Sequence, residues 1–171
     1  MAHERGLLGI SMRELGERVG MRAQSLYSYF PSKHAIHDAM FEQGWTAFLA
    51  EVDSSPPRTR SRRGAAAAAT AAALQFFDFC TADPVRYQLM FLRVIPGFEP
   101  SPRTYAVSQR AFDAMVDSLA ALGVRSASQI DMWTAVLTGL TSQQLANDPG
   151  GTRWRVLVPA AVQMLLTSPG G

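Results

Sequence analysis

Ser11, Arg13, Arg22, Gln24, Ser25, Tyr27, Tyr29 and Lys33 crowd hydroxyl, guanidinium, amide and ammonium groups into one short stretch, SMRELGERVGMRAQSLYSYFPSK. Groups of this kind hold phosphate oxygens and read base edges, which is the chemistry of a nucleic-acid surface. Arg13 or Arg22 could bond guanine bidentately, and each such pair discriminates by roughly 1–3 kcal/mol. No catalytic cluster accompanies them. His34 and His37 stand three apart on a predicted helix, a spacing that could suit a metal, but neither a carboxylate–His motif nor a Cys cluster joins them. They read as surface histidines, so no metal site, no cofactor and no enzymatic activity is expected.

The elements that must carry these groups are two short helices and a turn. Ser11 with Glu14 three residues on makes an S-x-x-E capping box. Met12, Leu15 and Val19 then fall at helical spacing on one apolar face, with Arg13, Glu17 and Arg18 off it. Gly20 suits the left-handed residue that closes a helix. A second helix restarts near Arg22 or Ala23 and turns Leu26 and Phe30 inward. It leaves Gln24, Ser25, Tyr27, Ser28 and Tyr29 for other contacts, and Pro31 stops it. Two short helices around a glycine turn match the helix-turn-helix unit, whose second helix enters the major groove.

Arg13 and Leu15, then Gly20-Met21, then Leu26-Tyr27-Ser28-Tyr29-Phe30-Pro31-Ser32-Lys33 resemble the DNA-binding domain of the tetracycline-repressor (TetR) family. The pairing of L-Y-x-[HY]-F with a Lys three residues later is the specific part. The resemblance implies that Ser11, Tyr27, Tyr29 and Lys33 hold phosphates and that Arg13, Arg22, Gln24 and Ser25 reach base edges. Two departures stand out. Arg22 opens the second helix where the family usually has Ser or Thr, which weakens the cap. Family members also carry a full helix ahead of the unit, and only His3-Glu4-Arg5-Gly6 resembles its end. The first helix is therefore expected to be truncated, with Leu15, Leu26 and Ile36 losing part of their cover, unless residues upstream of Met1 complete it.

The 171 residues are 47% hydrophobic and 18% charged, enough for a sizeable core. Net charge is +2; residues 1–63 hold nine Lys and Arg against seven Asp and Glu, and the remainder balances. So small an excess places the weight on the motif rather than on a basic patch. A single cysteine, Cys80, excludes an internal disulfide and reads as a small buried hydrophobe in FFDFC. No secretory signal is recognised, and the alanine-rich run over 65–74 is too short to span a membrane. A cytoplasmic protein without membrane contact is expected.

The rest reads as helices, giving an all-α fold with a helix-turn-helix head over 1–52 and a ligand-binding and dimerisation domain over 53–171. A connecting helix over 33–52 has Ile36, Met40, Trp45, Phe48, Leu49 and Val52 as its inner stripe. Residues 53–63, with Pro56-Pro57 and four arginines, form a loop whose arginines read as solvated before they read as DNA contacts. Helices follow over 64–81, 85–92, 104–122, 129–147 and 153–167, with Val107, Ala111, Phe112, Met115, Val116 and Leu119 inward in the third of these. Residues 83–91, DPVRYQLMF, and the later Trp133 and Gly139 resemble the TetR subgroup with a WHG-type ligand domain, with Thr138 in place of its histidine.

The resemblance further implies a small-molecule pocket, with Phe76, Phe79, Met90, Phe91, Phe112, Met115 and Trp133 as candidates for an apolar or aromatic effector. The same residues at helical spacing would equally make ordinary core. The last two helices are the expected homodimer interface, through Thr134, Ala135, Thr138, Gly139, Thr141 and Ser142 on one and Val156, Val158, Ala160, Ala161, Val162 and Leu165 on the other. Two functions remain open: a dimeric repressor that binds a palindromic double-stranded operator and is released by its effector, or a ligand-sequestering helical protein that has lost DNA binding.

Overall fold

The computed structural model describes residues 1–54 and 62–167. Most of the loop expected over 53–63, including Pro56, Pro57, Arg58 and Arg60, lies outside them. Among the described residues the chain is all helix and turn. In order come α1 (Ala2–Arg5), a 3₁₀ turn (Leu7–Gly9), α2 (Met12–Arg18), α3 (Ala23–Tyr29) and α4 (Lys33–Asp53). Then follow α5 (Arg62–Ala82), α6 (Pro84–Phe91), α7 (Pro102–Ala120), α8 (Ala127–Asn147), a second 3₁₀ turn (Arg155–Leu157) and α9 (Val158–Thr167).

Local chemistry explains most boundaries. Pro84 and Pro102 occupy first helical positions, where the missing N–H costs nothing. The Ser126 hydroxyl accepts the Gln129 N–H at 3.2 Å and caps α8. Gly123, at φ 90°, closes α7 in a Schellman turn, with Val124 N–H on the Leu119 carbonyl and Gly123 N–H on that of Ala120. The last helix begins later than expected. Arg155–Leu157 is a 3₁₀ turn and α9 starts at Val158, since Pro159 has no N–H to offer the preceding turn.

Two compact units emerge. The first joins Met1–Ala47 with Pro84–Gln109, so the chain leaves it within α4 and returns to it at α6. Here Phe41, Gly44 and Trp45 of α4 are buried. A Cβ on Gly44 would lie 2.8 Å from the Met90 sulfur, so the bare glycine is what lets α6 approach. Trp45 packs edge-on to Phe91 at 5.2 Å, and Phe91 stacks on Tyr87 at 5.3 Å. Asp38 of α4 caps α7: its Oδ1 accepts the Ser101 N–H at 2.8 Å and the hydroxyl of the fully buried Thr104 at 2.6 Å. Burial raises the Asp38 pKa, but the bonds from Thr104 and Ser101 outweigh it and hold the carboxyl below its ordinary value.

His37 is fully buried in this unit, against the surface position expected; His34 alone is exposed. Its Nε2 lies 3.2 Å from the Leu7 carbonyl, to which it donates, and its ring meets Phe98 edge-on at 5.6 Å. Nδ1 has no partner. A proton added there would have no acceptor, and burial pushes the His37 pKa down, with His34 and Lys33 adding to that against the Leu7 bond. The unfolded chain therefore takes up the proton first, and the contribution to stability is lost as pH falls below about 6.5. Melting of the native protein should fall between pH 7.5 and 5.5, by at most about 1.4 kcal/mol per pH unit from this group. His37→Gln should remove that part of the pH dependence; an unchanged profile would exclude His37 as its source.

The second unit joins Phe48–Asp83 with Arg110–Gly171. Its core is Ala73 and Phe77 of α5, Leu119 and Val124, Ile130, Trp133 and Leu137 of α8, and Val158, Ala161, Val162 and Leu165 of α9. Phe48 packs edge-on to Phe76 at 5.8 Å and beside Phe79 at 5.2 Å. The buried Gln144 amide clamps the α8–α9 turn, donating to Asp148 and accepting the Trp154 N–H at 2.9 Å. Arg155 holds Asp78 through two bonds of 2.7 Å. Cys80, the single cysteine, is buried. The alanine-rich segment is longer than expected: Gly64–Ala82 is long and apolar enough, by length and composition, to cross a membrane. In this unit it packs against α8 and α9.

Candidate nucleic-acid interface

The head is built from the turn outward. α2 ends in a Schellman turn: Gly20 adopts φ 69°, Met21 N–H reaches the Gly16 carbonyl at 2.8 Å, and Gly20 N–H that of Glu17 at 3.3 Å. Gly16, buried on α2, is the residue that pattern reading passes over. A Cβ there would sit 2.8 Å from the Met21 carbonyl oxygen and 3.3 Å from the Ala23 nitrogen. The helices meet where only a hydrogen fits. The apolar layer beneath is Met12, Leu26 and Ile36, with Leu15, Phe30 and Met40 against it. Leu26 and Ile36 keep their cover, at 5% and 7% exposed.

Two expectations in α2 need correction. Val19 is 54% exposed, because the chain leaves the helix at Arg18 and turns that residue away; Gly16 takes the inner place. The Ser11–Glu14 capping box does not form. Ser11 is the N-cap residue but its hydroxyl accepts no N–H, and the Glu14 carboxylate is taken by Arg5. Arg18 likewise pairs with Glu4. These crossed ion pairs fasten α1 to α2. The Leu7 and Ile10 side chains are buried between them in sequence.

Along α3 the polar groups stand clear. Arg22, Gln24, Ser25, Tyr27 and Tyr29 are all exposed, Tyr29 most of all at 71%. Arg22 is the N-cap residue and, as its type implies, supplies no side-chain cap. Ser28 donates back to the Ser25 carbonyl at 2.6 Å. Arg13 is exposed but tied to Glu17 at 3.1 Å, one turn along α2. Ser11 is half-buried, and Lys33, at the start of α4, donates to the Leu8 carbonyl at 3.3 Å. Among the described residues no group of three or more His, Cys, Asp or Glu could hold a metal.

The expected pocket residues divide between the units. Met90 and Phe91 belong to the first; Phe76, Phe79, Phe112, Met115 and Trp133 belong to the second. Trp133 is core, with Phe76 and Met115 packed against the same cluster. Phe112 is 42% exposed rather than inward, since Ala111 takes the buried position beside it.

A buried leucine under an exposed polar and aromatic face, on a helix set by a Schellman turn against its neighbour, defines a helix-turn-helix head. Residues 1–40 match the family model for bacterial regulatory proteins of the tetR family. The whole fold is similar to that of SCO4313, assigned as a regulatory protein, at 21% identity and TM-score 0.71, covering 98% of this chain and 90% of that one. It is also similar to PfmR, a TetR-family transcriptional regulator from Thermus thermophilus, at 16% identity and TM-score 0.68, covering 99% and 94%. No curated protein matches the chain. The head thus matches the tetR family model over residues 1–40, and the fold as a whole is that of these two regulators.

Proposed function

We propose that the protein is a homodimeric repressor that grips a palindromic operator and lets go when a small apolar or aromatic effector binds. The observation that carries this reading is the α3 face, where Arg22, Gln24, Ser25, Tyr27 and Tyr29 are exposed together above the buried Leu26. Tyr27 and Tyr29 are neutral donors on rigid stems, suited to phosphates, and Ser11 and Lys33 flank the same head. In the free protein Lys33 rests on the Leu8 carbonyl, a weak bond that a phosphate can replace. The protein acts in the cytoplasm, where its operator is.

The homodimer is supported by α8 and α9. Thr141, Val158, Ala161, Val162 and Leu165 face their own core and are not available to a partner. Met132, Ala135 and Gly139 on α8, and Val156, Leu157, Ala160 and Met164 on α9 and the 3₁₀ turn before it, are exposed and mostly apolar. Paired about a two-fold axis they would make a four-helix bundle, and the two α3 helices would fall about 34–36 Å apart or a multiple of a helical turn. Effector binding among the aromatic residues of the second unit would act through α4, whose residues belong to both units; such coupling carries about 1–3 kcal/mol.

Selection of random duplex DNA with the purified protein tests the reading. An enriched palindrome supports it, and no enrichment favours a ligand-sequestering protein. On the selected operator Tyr29→Ala should weaken binding by about tenfold, the loss of one good contact of about 1.4 kcal/mol, while the dimer mass stays unchanged. Unchanged affinity would remove Tyr29 from the interface.

A further inference from the structure

The regulator reading leaves the operator's sequence undetermined, but the partners of the head's polar side chains narrow it. Arg13 on α2 and Arg22 at the start of α3 are both exposed. Arg13 is engaged by Glu17, whereas Arg22 has no ion pair or side-chain hydrogen bond among the described residues. On α3, each residue advances about 100° around the axis, so Gln24 and Ser28 lie farthest from the buried Leu26. The Ser28 hydroxyl proton is spent on the Ser25 carbonyl. The Gln24 amide has no partner among the described residues and is exposed. One free guanidinium and one free carboxamide therefore remain at the leading end of the helix.

Their chemistries differ in what they match. Guanine offers two acceptors, N7 and O6, to the major groove, which suits a group with donors only. Adenine offers one acceptor, N7, and one donor, N6, which suits an amide with one of each. Resting on the regulator reading, we infer that Arg22 reads a guanine and Gln24 an adenine, so that each operator half-site carries a G·C and an A·T pair under the start of α3. Arg22 is then a specificity residue that occupies a cap position at the expense of the cap.

That trade makes a clean test. Threonine caps well and cannot reproduce a bidentate guanine contact. Random-duplex selection would be run with the native chain, with Arg22→Thr and with Gln24→Glu, each checked by thermal melting. The native chain should enrich a half-site containing both pairs. Arg22→Thr should melt no lower than native yet lose about tenfold of the preference for guanine at one position only. Gln24→Glu should lose the adenine preference at a different position and gain one for cytosine, whose N4 donates to a carboxylate. If either variant weakens all sequences evenly and leaves every base preference intact, that side chain holds phosphate and the inference fails for it. A native motif without these two pairs overturns the inference and keeps the regulator. No motif from the native chain overturns both.

Discussion

Gly16→Ala should disable the head while leaving the second unit intact. The added methyl would lie 2.8 Å from the Met21 carbonyl oxygen and 3.3 Å from the Ala23 nitrogen, and both are backbone atoms of the turn itself. Neither can swing aside as a flexible side chain would. The Met21 N–H is bonded to the Gly16 carbonyl at 2.8 Å, so moving the turn also breaks the bond that closes α2. Alanine would return up to about 1 kcal/mol through its better helix propensity. Overpacking at a site that cannot relax costs about 1–3 kcal/mol, and the lost turn bond adds to it. The net expectation is a destabilised head and a loss of operator affinity of tenfold or more. Hydrogen exchange would show faster opening of residues 12–29 with the α5, α8 and α9 amides unchanged. A variant that binds DNA like the native chain would mean the helices can move apart freely.

Phe77→Ala should have the largest effect on the second unit. Phe77 is 1% exposed and sits in the cluster of Ala73, Trp133, Leu137, Val158 and Val162. Truncating a buried phenylalanine costs about 3–5 kcal/mol, from lost transfer energy and the cavity left behind. That is a large share of a domain's total stability of about 5–15 kcal/mol. The variant should melt well below the native protein, and because the exposed apolar face of α8 and α9 rests on the same core, the proposed homodimer should dissociate at lower dilution. Phe112→Ala is the internal contrast: at 42% exposed, it should change melting little. Equal losses from the two would contradict the packing described.

Much of the head was legible in sequence because its code is short-range. Gly20 closes α2, Leu26 points inward, Pro31 follows the end of α3, and the aromatic and polar residues of α3 stand out, as the spacing requires. The misreadings have a common origin. The Ser11–Glu14 box was the best local arrangement, but Arg5, nine residues from Glu14, offers the carboxylate a charge. His37 reads as a surface residue until the Leu7 turn, thirty residues earlier, covers it. Val19 keeps helical spacing only as long as the helix continues, and it does not. Phe112 looked inward by periodicity, but the axis of α7 turns Ala111, Ser108 and Thr104 to the inside instead. In α8 and α9 periodicity identified apolar residues without distinguishing those facing their own core from those left outside.

The sequence alone determined the helical class, the turn and the chemical identity of the α3 face, because caps, left-handed glycines and apolar spacing act within a few residues. Tertiary structure decided what those residues are free to do. Asp38 caps α7 from 63 and 66 positions away, Arg155 reaches Asp78 across 77, and α6 returns to pack with α4 in the first unit. It also decided that Arg13 is engaged by Glu17 while Arg22 has no ion pair among the described residues. Such pairings join groups that are adjacent only after the chain has folded, and no local preference encodes them.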